Sequence, residues 1–161
     1  MAIPAYLWLE DEQGVSVQGS VNVAEREGSI EVLEFNHSIY IPTDNDTGEL
    51  TGTRKHGAVT LVKAFDASSP YLFKACCNGQ RMKKATLKWY KIDDSGQEVE
   101  YYQHELEGVK INSFSPRMAN TKDLAQEKIP HIESVSLRYE KITHTFLDGN
   151  VSHSDSWNEG R

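Results

Sequence analysis

The sequence is poor in cysteine, and its two cysteines cannot pair with each other. Cys76 and Cys77 are neighbours in the chain. Their Cα atoms lie about 3.8 Å apart across a trans peptide, whereas a disulfide normally needs ~4.4 Å or more. We therefore expect two free thiols, as is usual for a protein that folds in a reducing compartment.

Long apolar runs are absent as well. The longest apolar stretch, residues 2–9, is interrupted by Pro4, whereas a membrane-spanning helix needs ~18 or more apolar residues. The same stretch has no basic leader and no small-residue cleavage pattern, so it is not typical of a secretory signal. These features predict a chain that starts in the cytoplasm and does not insert into a membrane.

Positive charge is scarce too. The chain has 17 Lys and Arg against 24 Asp and Glu, which gives a net charge of −7. A protein that binds a phosphate backbone needs a basic surface, so we expect no nucleic acid partner. A length of 161 residues is typical of one domain, and we expect a single domain over residues 1–161.

What the sequence does contain is a series of β-strand patterns. Runs of β-branched and aromatic residues that end at turn-forming residues predict strands. The predicted strands cover residues 3–9, 29–41, 58–65, 81–92 and 98–114, followed by a hairpin over residues 131–157 around Asp148-Gly149. The apolar alternation of this last hairpin changes phase, which predicts a bulge near Glu140 and Lys141.

Two further segments depart from the strand pattern. Residues 43–57 contain Leu50 as their only large aliphatic residue and predict a long extended loop without structure of its own. Ser69 and Pro70 predict the N-cap and first residue of a short helix that stops at an Asn-Gly dipeptide. Together the elements predict a mainly β fold: a closed or nearly closed antiparallel β-barrel with one short flanking α-helix, because closure hides strand edges.

No motif predicts catalysis or a bound cofactor or metal. The tripeptide His-Ser-Asp at 153–155 has the residue types of a hydrolase triad. Neighbours on a strand point to opposite faces, however, and cannot converge. Asp44, Asp46 and Gly48 resemble a calcium loop, but its twelfth position holds Lys55 where a bidentate Glu is needed. We expect no enzyme, and no catalytic, cofactor-binding or metal-ligating residues.

Several short strings occur in a recognisable order along the chain. They are MAIPAYLWL, REGSIEV at 26–32, TGELTGTR at 47–54, SSPYL at 68–72, KWYKI, LRYEKI and DGNVSHSDSW. Through these strings the chain resembles the Hcp (haemolysin co-regulated protein) family of type VI secretion. The resemblance spans residues 1–157, which is nearly the whole chain.

The resemblance implies an assembly and a set of partners. It implies a structural subunit of the type VI inner tube, in which six copies form a ring and the rings stack. The subunit is implied to assemble in the cytoplasm and then to be secreted without a signal peptide. Implied partners are copies of itself, the spike protein, the contractile sheath and small effector proteins carried in the channel. A monomeric small-barrel binding module without tube assembly is the alternative.

The resemblance also implies where subunits meet. In this family the long loop reaches from the barrel to neighbouring subunits or rings, and we expect the segment that starts at residue 26 to contact neighbours too. The candidate assembly residues are Arg26, Glu27, Gly28, Ser29, Thr47, Gly48, Glu49, Leu50, Thr51, Gly52, Thr53 and Arg54. Glu49 stands where a lysine is common in the family, and His144 stands where an aromatic residue is common.

Overall fold

Strands dominate the computed structural model, which describes residues 3–157, and one α-helix interrupts them within that range. The first strands are β1 (Ala5–Glu10), β2 (Ser16–Val17), β3 (Ile30–Val32), β4 (Glu34–Asn36), β5 (Ile39–Tyr40), β6 (Lys55–His56) and β7 (Val59–Ala64). After helix α1 (Ser69–Asn78) come β8 (Arg81–Ile92), β9 (Glu98–Arg117), β10 (Ile132–Arg138), β11 (Lys141–Phe146) and β12 (Val151–Ser156). A short 3₁₀ turn covers Leu124–Gln126.

The main sheet curls until its two ends are joined by one segment. Strands β1, β8, β9, β10 and β7 lie side by side in that order and are all antiparallel. Residues 30–36 then bridge the ends, because β3 pairs with β1 while β4 pairs with β7. Between them, the Leu33 amide donates to the Val62 carbonyl at 2.7 Å. The predicted mainly β, nearly closed barrel with one short helix is therefore confirmed.

The predicted single strand over residues 29–41 was wrong. The structure divides it into β3, β4 and β5. The chain changes partner at Leu33, from β1 to β7, and it leaves the barrel after Asn36. β-branched and aromatic residues continue through all three pieces, so composition alone did not mark the breaks.

The predicted hairpin after the helix is confirmed. Strands β8 and β9 pair in antiparallel fashion, and the Asp93 side chain closes the turn by accepting the Ser95 and Gln97 amides at 2.9 Å each. Strand β9 extends to Arg117, three residues beyond the predicted end.

The second edge of β9 carries two neighbours. β10 pairs with its C-terminal half, and β11 pairs with its N-terminal half, with two residues between β10 and β11. The phase change predicted near Glu140 and Lys141 therefore falls at a break between strands, whereas the register shift lies between Ser136 and Leu137. Gly108 faces the break with a φ of 64°, a left-handed conformation that favours glycine.

Helix α1 begins one position earlier than predicted. Ser68 occupies the N-cap position, and Ser69, which the sequence suggested as the N-cap, is the first helical residue. Its hydroxyl is used elsewhere, because it donates to a buried carboxylate of β10. The helix ends as predicted at Gly79, which has a φ of 62°. Leu72 and Ala75 form the buried face of the helix.

Two opposite charges lie in the barrel interior among aliphatic side chains. Lys63 of β7 and Glu133 of β10 are register partners, and each side chain is only 1% exposed. They form an ion pair, and the Lys63 ammonium also lies 3.0 Å from the Asp66 carboxylate. Glu133 accepts the Ser69 hydroxyl at the start of α1. This network fastens the helix to the end of the barrel.

Removing one member of the buried pair should be costly. Lys63→Met leaves Glu133 buried without its counter-charge, and we expect a loss of about 3–5 kcal/mol in the free energy of unfolding. Urea unfolding followed by circular dichroism measures it. The double variant Lys63→Met/Glu133→Leu removes both charges and should recover most of the loss.

The control for this prediction is a pair near the surface. Lys141→Gln breaks the half-exposed contact with Glu107 and should cost no more than about 1 kcal/mol. A Lys63→Met variant as stable as Lys141→Gln would show that the buried pair does not hold the barrel end together.

Candidate functional site

Residues 37–57, which we call the arm, leave the barrel as a two-stranded ribbon. β5 pairs with β6, and the isolated bridge between Thr43 and Leu50 continues the ladder towards the tip. The Thr51 amide donates to the Pro42 carbonyl at 2.8 Å. The predicted long extended loop is confirmed, but it is not without structure, because a short ladder of backbone hydrogen bonds runs through it.

The tip of the arm is shaped by Asp44. Its carboxylate accepts the amides of Asp46 at 2.7 Å and Thr47 at 3.1 Å. These backbone hydrogen bonds, the one from Asp46 first, lower the pKa of Asp44. The oxygens that suggested a calcium loop thus serve the turn itself.

The arm exposes large apolar side chains. Tyr40 is 58% exposed and Leu50 is 65% exposed, and both neighbours of Tyr40 are exposed too. Contiguous exposed apolar side chains are typical of surfaces that contact another protein. Residues 43–53 contain no Lys or Arg and carry the negative charges of Asp44, Asp46 and Glu49. Lys55 is the cross-strand partner of Tyr40.

Most of the candidate assembly residues are exposed. The exposed ones are Glu27 and, on the returning half of the arm, Thr47, Gly48, Glu49, Leu50, Thr51, Gly52 and Thr53. Gly28 and Arg54 are half-buried, while Arg26 and Ser29 are buried. The candidates thus separate into surface residues and residues that already have contacts within the subunit.

Arg26 and Ser29 are used inside the barrel's own structure. The Arg26 guanidinium lies over the Tyr90 ring, 3.9 Å from its centroid, and 5.2 Å from that of Tyr6. It also pairs with Glu98 at 3.4 Å. The Ser29 hydroxyl donates to the Arg26 carbonyl at 2.7 Å. These contacts fix the turn between Arg26 and Ser29, in which Glu27 is exposed.

A chain of side-chain contacts joins the arm to the barrel. It starts from His37, Arg54 and His56, which form the root of the arm. Arg54 donates to both carboxylate oxygens of Asp155, at 2.5 and 2.9 Å. The same carboxylate lies 2.7 Å from His56 Nε2. His56 Nδ1 is 2.5 Å from the Tyr139 hydroxyl, which is also 2.8 Å from His37 Nε2. We call these five side chains the clasp.

Charge and burial set the protonation states in the clasp. Hydrogen bonding from Arg54 is the main cause that lowers the pKa of Asp155, so this carboxylate stays ionised to more acidic pH than usual. Burial raises the pKa of the Tyr139 hydroxyl, and burial lowers the pKa of His37. The clasp therefore combines an ionised Arg54–Asp155 pair with a tyrosine that keeps its proton.

The clasp has the residue types of a catalytic triad without the required access. His56 and Tyr139 are both buried, and a nucleophile needs a lowered pKa and an open approach for substrate. The tripeptide at 153–155 does not converge either. Ser154 Oγ lies 2.8 Å from the Thr143 hydroxyl, while Asp155 turns to the clasp.

Sequence reasoning missed the clasp, because its members come from distant parts of the chain. Arg54 and Asp155 are 101 positions apart, and Tyr139 and His56 are 83 positions apart. No spacing rule connects such residues. Only the partner strands of the folded barrel bring them together.

A second histidine cluster lies where β9, β11 and β12 meet. His104, His144 and His153 are register partners across the three strands, and the first two rings have centroids 4.2 Å apart. Trp89 Nε1 donates to His104 Nδ1 at 2.7 Å. Burial, helped by two neighbouring histidines, lowers the pKa of His104 to about 3. This ring is therefore neutral at pH 7.

In residues 3–157, no group of three or more His, Cys, Asp and Glu side chains is arranged to hold a metal ion. No helix in the same range is long and apolar enough to cross a membrane.

Comparisons of the sequence find one family. The family model described as type VI secretion system effector, Hcp, matches residues 6–146. A curated relative, the major exported protein of Pseudomonas aeruginosa, is 35% identical over 98% of this chain and 96% of its own length.

Solved structures lead to the same family. The Hcp1 protein from the E. coli EAEC 042 pathovar, solved as an engineered variant, is 54% identical with a TM-score of 0.88, over 97% of this chain and 99% of that one. The secreted protein Hcp3 from Pseudomonas aeruginosa is 27% identical with a TM-score of 0.80, over 98% of this chain and 100% of that one.

The buried His104 makes stability depend on pH. The pKa of His104 is about 3 in the folded chain against an ordinary 6.5. Below pH 6.5 the unfolded chain therefore binds a proton that the folded chain does not, and stability falls as the pH is lowered. His104 alone should contribute a loss approaching about 1.4 kcal/mol per pH unit between about pH 6 and pH 4. Urea unfolding at several pH values measures it.

The matched control is His104→Asn. Its amide oxygen replaces Nδ1 as the acceptor for Trp89, but the side chain does not titrate. We expect a shallower loss of stability with acidification in this variant. Equal slopes in the parent and the variant would show that His104 is not responsible.

Proposed function

Because the chain belongs to the Hcp family of type VI secretion effectors, we propose that it is the structural subunit of a type VI inner tube. Six copies form a ring, and rings stack into the tube. The subunit assembles in the cytoplasm and leaves the cell with the tube when the contractile sheath fires. In this role it is a building element and a carrier, not a catalyst.

The arm is the observation that carries this proposal. It is a structured ribbon with its own hydrogen-bonded ladder, and it leaves Tyr40 and Leu50 uncovered. The core of a protein interface is typically built from apolar and aromatic side chains such as these. A projecting arm and the surface that receives it are different patches, so the contact is heterologous. Heterologous contacts close into rings or continue as filaments, and a tube of rings needs both.

The candidate residues then take different parts in assembly. Glu27 and residues 47–53, which are exposed, contact neighbouring copies. Arg26 and Ser29 support them indirectly by fixing the turn that presents Glu27. Arg54 anchors the arm to the barrel.

The remaining partners follow from the family. We propose that the tube contacts the spike protein at its end and the sheath along its outside. Small effector proteins ride in the channel of the ring and are chaperoned there. The chain's net charge of −7 gives each ring a strongly negative charge, so ring faces meet only where contacts are locally complementary or salt screens the repulsion.

The oligomeric state tests the proposed function most directly. Native mass spectrometry of the purified chain at micromolar concentration should show a species at six times the subunit mass. The physical reason is that a monomer leaves the exposed apolar side chains of the subunit in water. A purely monomeric species would favour a small-barrel binding module instead.

A substitution on the arm separates folding from assembly. Leu50→Glu should leave the barrel as stable as the parent within about 0.5 kcal/mol, because the side chain is already exposed. The same change should strongly reduce stacking of rings, since it places a charge in an apolar contact. Electron microscopy and light scattering measure stacking, and urea unfolding measures stability.

The control adds the same charge at another exposed leucine. Leu124, in the 3₁₀ turn, is 81% exposed, and Leu124→Glu should leave both stability and stacking unchanged. If the two variants stack as well as the parent, the arm does not make the contact between rings.

A further inference from the structure

The arm is held to the barrel by few backbone constraints. β5 and β6 form a two-stranded sheet of their own, separate from the ten-stranded sheet of the barrel. A two-stranded ribbon is only marginally stable in isolation. The chain enters the arm after β4 and leaves it before β7, so the ribbon could pivot about these two crossings. Its direction must therefore come from side chains at its root.

The clasp supplies that fixed direction. Arg54 and the Asp155 carboxylate form a bidentate hydrogen-bonded pair. This geometry fixes the orientation of the two side chains as well as their distance. His56 is held through both ring nitrogens, by Asp155 and by Tyr139. The His56 ring also stacks on Trp157, with centroids 5.5 Å apart and an angle of 28° between the planes. The root of the arm is thus restrained from three sides.

The charged part of the clasp is shielded from water. Side chains of Arg54 and Asp155 are each about three-quarters buried, and the His56 side chain is almost completely buried. Fully exposed ion pairs are weak because solvent screens them and because two long side chains must be ordered. The Arg54–Asp155 pair is shielded and bidentate, and it is hydrogen-bonded to a buried histidine. It therefore holds the arm in place better than a fully exposed ion pair would.

We propose that the clasp sets the direction of the arm before subunits meet, which makes Asp155 of β12 a positioning residue for the stacking of rings. This inference rests on the proposed function, because stacking is the process that the arm serves. An arm that already points in the docking direction loses less conformational freedom on contact. Strand β12 therefore influences stacking through the direction of the arm.

The test compares two isosteric substitutions. Asp155→Asn removes one negative charge and places an amide before Arg54 and His56. Glu107→Gln makes the same change in charge and shape on β9, where the carboxylate pairs with Lys141 at 3.6 Å. The two variants therefore have the same net charge and differ only in which contact is broken.

Two measurements are made on each variant. Hydrogen exchange of the Thr51 and Gly57 amides, which bond to carbonyls inside the arm, reports order in the arm. Amides of β8 and β9 report the barrel. In Asp155→Asn we expect arm amides to exchange at least about tenfold faster with the barrel unchanged. We also expect stacking to need a several-fold higher ring concentration, whereas Glu107→Gln behaves as the parent in both measurements.

Each result bears on the proposal. Unchanged arm exchange in Asp155→Asn overturns it, whether or not rings stack. Faster arm exchange with normal stacking overturns the positioning role. If the parent chain forms no rings, the proposed function fails, and arm exchange still decides whether the clasp orders the arm. If Asp155→Asn unfolds, seen as fast exchange throughout β8 and β9, Arg54→Gln breaks the same pair from the arm side and is judged by the same two measurements.

Discussion

The pairing of strand edges is the constraint on which the rest of this structure depends. Unpaired edges expose backbone donors and acceptors and invite wrong contacts. Residues 30–36 meet this requirement at two edges, because β3 pairs with β1 and β4 pairs with β7. The pairing of β4 with β7 ends at Asn36, and β5 pairs with β6 in a separate sheet, so the next residues form the arm. The same closure brings Tyr139 next to His56 and His37. Barrel, arm and clasp are therefore consequences of one closing segment.

Local signals made part of this fold predictable from sequence. The hairpin of β8 and β9 has alternating apolar residues and an aspartate that caps its turn, and both act within a few residues. The helix stop at Gly79 is equally local, since a left-handed residue after a helix favours glycine. The change of pairing partner at Leu33, from β1 to β7, has no such local signal. It depends on where β1 and β7 lie in space, which no pattern within residues 29–41 records.

The ladder within the arm and the clasp were not predicted from the sequence, for two separate reasons. Residues 43–56 are polar apart from Leu50, and their ladder is made by backbone groups, so their side chains carry no strand pattern. The clasp depends on pairs such as Arg54 and Asp155 that only the folded barrel brings together. The resemblance to the Hcp family makes residues 47–54 candidate assembly residues, which stays a prediction. His144, which departs from the family's aromatic preference, still makes ring contacts here, with His104 and Tyr102.

The buried ion pair of Lys63 and Glu133 also constrains which substitutions relatives of this chain can accept at these two positions. Each charge is tolerated in the barrel only because the other one is present. A lineage that loses one of them passes through a less stable intermediate, whereas a lineage that loses both leaves neither charge uncompensated in the barrel interior. The two positions are therefore strongly epistatic. Among distant relatives we expect the lysine and the glutamate to be inherited or replaced together, as a single evolutionary character.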